Sequence, residues 1–274
     1  MEYHFSDRIS NVRPSAIREI LKYAASHPEV IALSTGSPAN EAVPVEEISE
    51  ISARIFKEKP LAGLQYSMTE GYHALRESTR QRLKKEFGIG REFDDLIITT
   101  GGQQGLSLTP NIFCNPGDTV VVELPTFVSG INAMRIHGAN VVGVEMDEEG
   151  MELDGLEHAF RTEPNVKLLY VIPTFQNPSG KTMSLARRKA IYALCVKYGV
   201  MILEDNPYGE LRFRGEDIPT FKSMDDEGIV IYNGSYSKVL SAGMRIGFVM
   251  AQKDVLQRLT VAKQFSDCHS NIFF

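Results

Sequence analysis

The sequence predicts an α/β fold: a mainly parallel sheet of seven strands with helices on both faces, preceded by an N-terminal arm. Three observations lead there. Between Gly90 and Ala251, short β-branched runs alternate with longer amphipathic stretches, the pattern of a parallel sheet wrapped by helices. The first ninety residues contain helical stretches with no strand partners. At 274 residues, 43% hydrophobic and 23% charged, the chain can bury a large core in one large domain.

The elements follow in order. Pro14–Ser26 and Val45–Lys59 read as helices of the arm and an outer layer. Gly71–Phe87 reads as a helix that Gly88 stops. The expected strands are Leu96–Thr100, Thr119–Glu123, Asn140–Glu145, Lys167–Pro173, Val200–Glu204, Gly228–Asn233 and Arg245–Met250. Between and after them, Gln103–Phe113, Ser129–His137, Ser184–Tyr198 and Asp254–Phe265 carry helical patterns, with Ser184 placed as an N-cap. No repeat or linker-like stretch interrupts Gly90–Ala251.

Composition narrows the function. A net charge of −6 argues against a nucleic-acid footprint, which needs clustered Lys and Arg. No apolar run is long enough to cross a bilayer, and the polar start lacks the apolar core of a signal peptide, so a cytosolic location is expected. Cys114, Cys195 and Cys268 are few, scattered and odd in number, which fits reduced thiols better than disulfides, and no metal site is expected.

Open α/β sheets bind ligands at the carboxyl ends of their strands, so the polar residues just after each strand matter most. After the first strand, Thr99-Thr100-Gly101-Gly102-Gln103-Gln104-Gly105 is either an ordinary turn or a turn whose helix N-terminus holds a phosphate. After the second, Phe127 is either a core ring or a platform for a flat heteroaromatic ligand. After the fourth, Asn177 precedes a proline that favours an extended conformation, and it could be no more than a turn residue. The fifth strand ends in Glu204 and Asp205, and a buried aspartate needs a partner: a protonated pyridine nitrogen, a metal or an arginine. After the sixth, Lys238 lies among small and apolar residues, where burial near other cations would lower its basicity, as a Schiff-base amine requires. Seven residues on, Arg245 between Gly243 and Gly247 offers a fork to a phosphate.

Taken together, Asn177-Pro178-Ser179-Gly180, Asp205-Asn206-Pro207-Tyr208 and Ser235-Tyr236-Ser237-Lys238 with Arg245 resemble the fold type I, pyridoxal-phosphate (PLP) dependent class I/II aminotransferases. Arg13-Pro14-Ser15-Ala16-Ile17-Arg18 and Gly101–Gly105 are most similar to the aminoadipate/kynurenine type. The resemblance implies a PLP cofactor, α-amino acid and 2-oxo acid substrates, and a homodimer with shared active sites. It implies that Lys238 forms the internal aldimine and serves as acid and base, and that Asp205 keeps the pyridine nitrogen protonated. Asn177 and Tyr208 are implied to bond the phenolic oxygen, with Phe127 stacked on the ring. Gly102, Gln103, Ser235, Ser237 and Arg245 are implied to hold the phosphate. Tyr66 resembles the tyrosine that reaches the neighbouring subunit's phosphate. Gly36, with Asn177, belongs to the substrate side, and Arg18 is either a substrate-side charge or a surface residue.

The same resemblance divides the chain into residues 1–60, an arm with part of a small domain, and residues 61–274, the cofactor-binding large domain. A C-terminal small domain carrying the carboxylate-binding arginine is expected to be absent, and the apolar Phe273-Phe274 end favours a fragment expected to bind PLP yet transaminate poorly. Two other readings keep the fold: a different PLP reaction such as β-elimination or a ring-forming lyase step, and a ligand-sensing domain of a regulator. The regulator is disfavoured because no basic helix-turn-helix precedes Arg13.

Overall fold

The structure is a computed structural model that describes residues 2–10, 12, 16–31 and 36–273, with the backbone alone at residues 16–18. The expected Arg13-Pro14-Ser15 stretch and the Arg18 side chain lie outside the described residues. The chain opens with helices α1 (Asp7–Ser10), α2 (Ala16–Ser26), α3 (Val45–Glu58), α4 (Pro60–Leu64) and α5 (His73–Phe87). There follow β1 (Asp94–Thr100), α6 (Gly102–Phe113), β2 (Thr119–Leu124), α7 (Val128–Arg135), β3 (Asn140–Asp147), β4 (Gly150–Met151) and α8 (Leu153–Thr162). Then come β5 (Val166–Val171), α9 (Leu185–Tyr198), β6 (Met201–Asp205), β7 (Val230–Ser235), β8 (Ile246–Gln252) and α10 (Lys253–Gln264).

Two expected caps have clear causes. Gly88 takes the left-handed conformation, φ 64°, and its N–H returns to the Leu83 carbonyl to close α5. The Ser184 hydroxyl accepts from the Arg187 N–H at 3.2 Å and opens α9.

Among the described residues the sheet has eight strands, not seven, in the order β1-β8-β7-β6-β5-β2-β3-β4. The extra strand, β4, pairs only two residues with the end of β3, Met146 with Met151 and Asp147 with Gly150, so it is too short to leave a periodic trace. Helix α8 was also not expected, although Leu156, Ala159 and Phe160 are buried on one face of it. The parallel core is β3-β2-β5-β6-β7, while β8 runs antiparallel to both β7 and β1.

That reversal positions the site. Because β8 enters the sheet where β7 and β1 leave it, Ser235 pairs with Gly247 and Thr100 with Ile246. The ends of β1 and β7 and the start of β8 therefore share the edge at which β2, β5 and β6 also end.

Strand residues alternate between two apolar layers, as a pleat requires. Ile97, Val122, Leu168, Leu203, Ile231 and Val249 face the layer covered by α6, α7 and α10. On the other face, Val121, Leu169, Val171, Ile202 and Val230 meet α8 and α9, and Leu96, Ile98, Phe248 and Met250 meet α5. Among the described residues the core thus begins at Leu83, whereas α3 and α4 bury no residue, and Ile51, Phe56, Leu61 and Leu64 are exposed. Among the described residues, no helix is long and apolar enough to cross a membrane.

Candidate active site

The carboxyl edge of the sheet gathers most of the expected side chains. Asp205 closes β6 and is 5% exposed. One oxygen, Oδ1, accepts from Asn233 Nδ2 at 2.9 Å, and Oδ2 accepts from the Tyr170 hydroxyl at 3.0 Å. Burial pushes this carboxyl up to about 6, while the two hydrogen bonds pull it back. Both hydrogen-bond partners are neutral, so the carboxylate is bonded without being neutralised.

Neither partner was anticipated from the sequence. Asn233 did leave a trace as a polar residue in an apolar strand, Val230-Ile231-Tyr232-Asn233. Tyr170 left none, since a tyrosine in a strand reads as core.

Lys238 lies three residues beyond β7, half-buried, and its Nζ donates to the Gly36 carbonyl at 2.8 Å. Burial lowers its basicity. The expected contribution of neighbouring cations is replaced by desolvation alone. Gly36 also lines a cavity of about 890 Å³ with Phe175, Asn177, Pro178, Tyr208 and Arg214. Within it Asn177 Nδ2 donates to the Tyr208 hydroxyl at 3.1 Å. The loop carrying Asn177 is held by Gln176, whose Nε2 donates to the Pro125 carbonyl at 2.8 Å and to Glu123 at 3.3 Å, while its Oε1 accepts from Ser179.

A second group forms where α6 begins. The first turn of α6 offers N–H groups that have no partner within the helix, at Gly102 and Gln103. Beside it the Ser235 hydroxyl meets the Ser237 hydroxyl at 3.0 Å, and Arg245 Nη1 lies 3.5 Å from the Ser237 oxygen. The Arg245 guanidinium closes over Gly101, leaving no room for a Cβ there, and Gly101 itself has φ 71°. Gly105 is required for a different reason: a Cβ there would collide with Asn233 Oδ1, so glycine lets α6 approach the strand that supports Asp205. Arg245 was expected to start the last strand. It instead precedes β8 in the left-handed region, φ 56°, and folds back toward the turn.

Three of the expected residues contribute less. The Gln103 side chain is exposed and donates to the Ser129 carbonyl at 3.3 Å, leaving only its backbone at the turn. Phe127 caps α7, half-buried, and packs on the core layer beneath it. Tyr66 is 84% exposed and meets His269 edge-on, with ring centroids 5.9 Å apart. Nothing is described of the Arg18 side chain.

This edge can hold an anion at one end and a cationic ring nitrogen at the other, with an amine between them in sequence. The profile of the family described as aminotransferase class I and II matches residues 28–270. The chain belongs to that family. Among its relatives, aromatic-amino-acid aminotransferase 1 of Thermococcus litoralis is 40% identical, the match covering 99% of this chain and 66% of that protein. A 2-aminoadipate transaminase of Thermus thermophilus is 38% identical over 97% of this chain and 66% of that protein. The structure of a Pyrococcus horikoshii kynurenine aminotransferase, solved with PMP, superposes with a TM-score of 0.92 at 37% identity, over 98% of this chain and 67% of the other. This class I/II aminotransferase chain spans about two thirds of the length of these relatives, and the family's cofactor is PLP.

Proposed function

We propose that this chain binds PLP and, in the protein to which it belongs, moves an amino group between an α-amino acid and a 2-oxo acid. The observation that carries the reading is Asp205: a buried carboxylate at the sheet's ligand edge, bonded by two neutral donors and raised to about 6 by desolvation. Such a group fits a protonated heteroaromatic nitrogen, whose charge would return the carboxyl to its ionised form. When bound, PLP supplies the electron sink for the carbon from which a substrate proton is taken.

The protein's own groups do the rest. Lys238 Nζ, its basicity lowered by burial, is the amine that would hold the cofactor and the base that would carry a proton from the substrate's Cα. Asp205 keeps the ring nitrogen charged. Asn177 and Tyr208, already 3.1 Å apart, bond the phenolic oxygen. Phe127, which caps α7, would flank the ring. The N–H groups of Gly102 and Gln103, the hydroxyls of Ser235 and Ser237, and Arg245 share the phosphate.

Gly36 and Asn177 belong to the substrate side. Residues 61–274 form the cofactor-binding domain, while residues 1–60 form an arm and part of a smaller one, in keeping with a core that begins at Leu83. Tyr66, on the surface, reaches the phosphate of a second copy in a homodimer. Three unpaired cysteines are in keeping with a cytosolic protein.

The test is a visible absorption spectrum with PLP, before and after borohydride, followed by peptide mapping and repeated on Lys238→Ala. A reduced adduct on Lys238 that the variant lacks is expected. An adduct on another lysine would remove Lys238 from the role. Amino acid converted to oxo acid together with pyridoxamine phosphate marks transamination, whereas release of ammonia would mark an elimination instead.

A further inference from the structure

A second lysine, outside the group just described, is buried more deeply than Lys238. Lys263, in the last turn of α10, is fully buried, and its Nζ finds an acceptor in every direction. It donates to Asp267 Oδ1 at 2.7 Å and Oδ2 at 2.9 Å, to the Ser270 hydroxyl at 3.0 Å, and to Gln104 Oε1 at 3.0 Å. An ammonium whose protons are met by a carboxylate, a hydroxyl and an amide oxygen ties those three groups together, and that is a geometric role.

Its partners converge on one turn. Gln104 Oε1 also accepts from the Thr100 N–H at 2.9 Å, and Asp267 Oδ2 accepts from the Thr100 hydroxyl at 2.6 Å. The lysine and aspartate therefore grip Thr100 from its backbone and its side chain, just ahead of Gly101 and the first turn of α6. Arg245 closes over the Gly101 that follows. The turn is held by two groups of charges, Arg245 among the residues proposed to hold the phosphate and Lys263 behind Thr100 and Gln104.

We propose that Lys263, acting through Gln104 and Asp267, is a positioning residue that fixes the N–H groups opening α6 for the cofactor's phosphate. The inference rests on the PLP reading above. Its effect is selective: it acts on the phosphate end and leaves the attachment of an aldehyde to Lys238 alone. A staple that merely stabilised α10 would show no such selectivity.

Lys263→Met and Gln104→Ala are titrated by absorbance with PLP and, in parallel, with pyridoxal, which has the same ring and aldehyde but no phosphate. Gln104→Ala leaves the Lys263–Asp267 pair and its bond to the Thr100 hydroxyl in place and breaks the link to the Thr100 N–H, so it serves where Lys263→Met fails to fold. The expected result is a PLP dissociation constant at least tenfold weaker in either variant, with pyridoxal changed less than twofold. Equal losses for the two ligands, or no loss for PLP in Gln104→Ala, would overturn the proposal. Failure of the unaltered chain to form a borohydride-stable adduct on Lys238 with either ligand would instead sink the PLP reading itself.

Discussion

Replacing Asp205 by asparagine isolates the electrostatic tension at the heart of the site. The side chain receives one bond from Asn233 Nδ2 and one from the Tyr170 hydroxyl. An asparagine can keep both contacts: its Oδ1 accepts from Asn233, and its Nδ2 donates to the Tyr170 oxygen once that hydroxyl rotates. What disappears is the titration. In the chain without cofactor the carboxyl is raised from 3.8 to about 6. Because the folded form holds its proton more tightly than the unfolded one, the stability tied to that proton is complete below about pH 4. It is lost as pH rises through about 6. A shift of ~2 units at ~1.4 kcal/mol each amounts to about 3 kcal/mol, most of it expressed between pH 4 and pH 8. Urea unfolding of the cofactor-free chain and of Asp205→Asn at several pH values gives the difference directly. The variant should gain about 2–3 kcal/mol relative to the unaltered chain across that window, with no further gain above it. A difference that stays flat with pH, or that moves the other way, would show that Asp205 is not held against desolvation and would remove the reason for pairing it with a ring nitrogen.

Three further outcomes can be checked. Arg245→Ala should weaken PLP by about 1.5–3 kcal/mol, the worth of a hydrogen bond to a charged group, and fluorescence titration would show an unchanged dissociation constant if Arg245 does not meet the phosphate. Lys222, fully buried between Asp94 at 2.7 Å and Asp225 at 2.9 Å, should cost about 3–5 kcal/mol of stability when changed to methionine, since two carboxylates are left unpaired. A loss under 1 kcal/mol in denaturant unfolding would contradict that. Tyr208→Phe removes the acceptor of the Asn177 bond and should shift the visible band of the bound cofactor and its pH midpoint, while denaturant stability changes by only about 1 kcal/mol.

The fold was legible where periodicity is long and failed where it is short. Seven strands and the helices between most of them follow from alternating β-branched runs, because a pleated strand between two helical layers must be apolar on both faces. β4 could not be seen, with two residues and no period to read. α8 does leave a trace, since Leu156, Ala159 and Phe160 give helical spacing.

The candidate site divides in a similar way. Lys238, Asp205, Asn177 and Tyr208 stood out because each is a polar or charged residue at or past the end of an apolar strand, and Arg245 because it lies between two glycines where a strand begins. Tyr170, Glu123, Gln176 and Lys263 did not, since a core tyrosine, a strand glutamate, a loop glutamine and a helix lysine are ordinary residues in one dimension. Glu123, pushed up to about 8 by burial and met by the Ile172 N–H and Gln176, shows its unusual state only once its neighbours are known.

By itself the sequence determined the layering, the edge of the sheet where the candidate site sits and the residue types brought there, because strand ends and helix starts are encoded by local apolar pattern and turn chemistry. The tertiary structure decided what each of those residues faces. The antiparallel entry of β8 brings Arg245 back onto Gly101, β7 supplies Asn233 to Asp205, and α10 returns Lys263 to the turn it holds. Burial and hydrogen bonding are properties of pairs that lie far apart in the chain, from 28 residues for Asn233 and Asp205 to 159 for Lys263 and Gln104, and no local pattern records them.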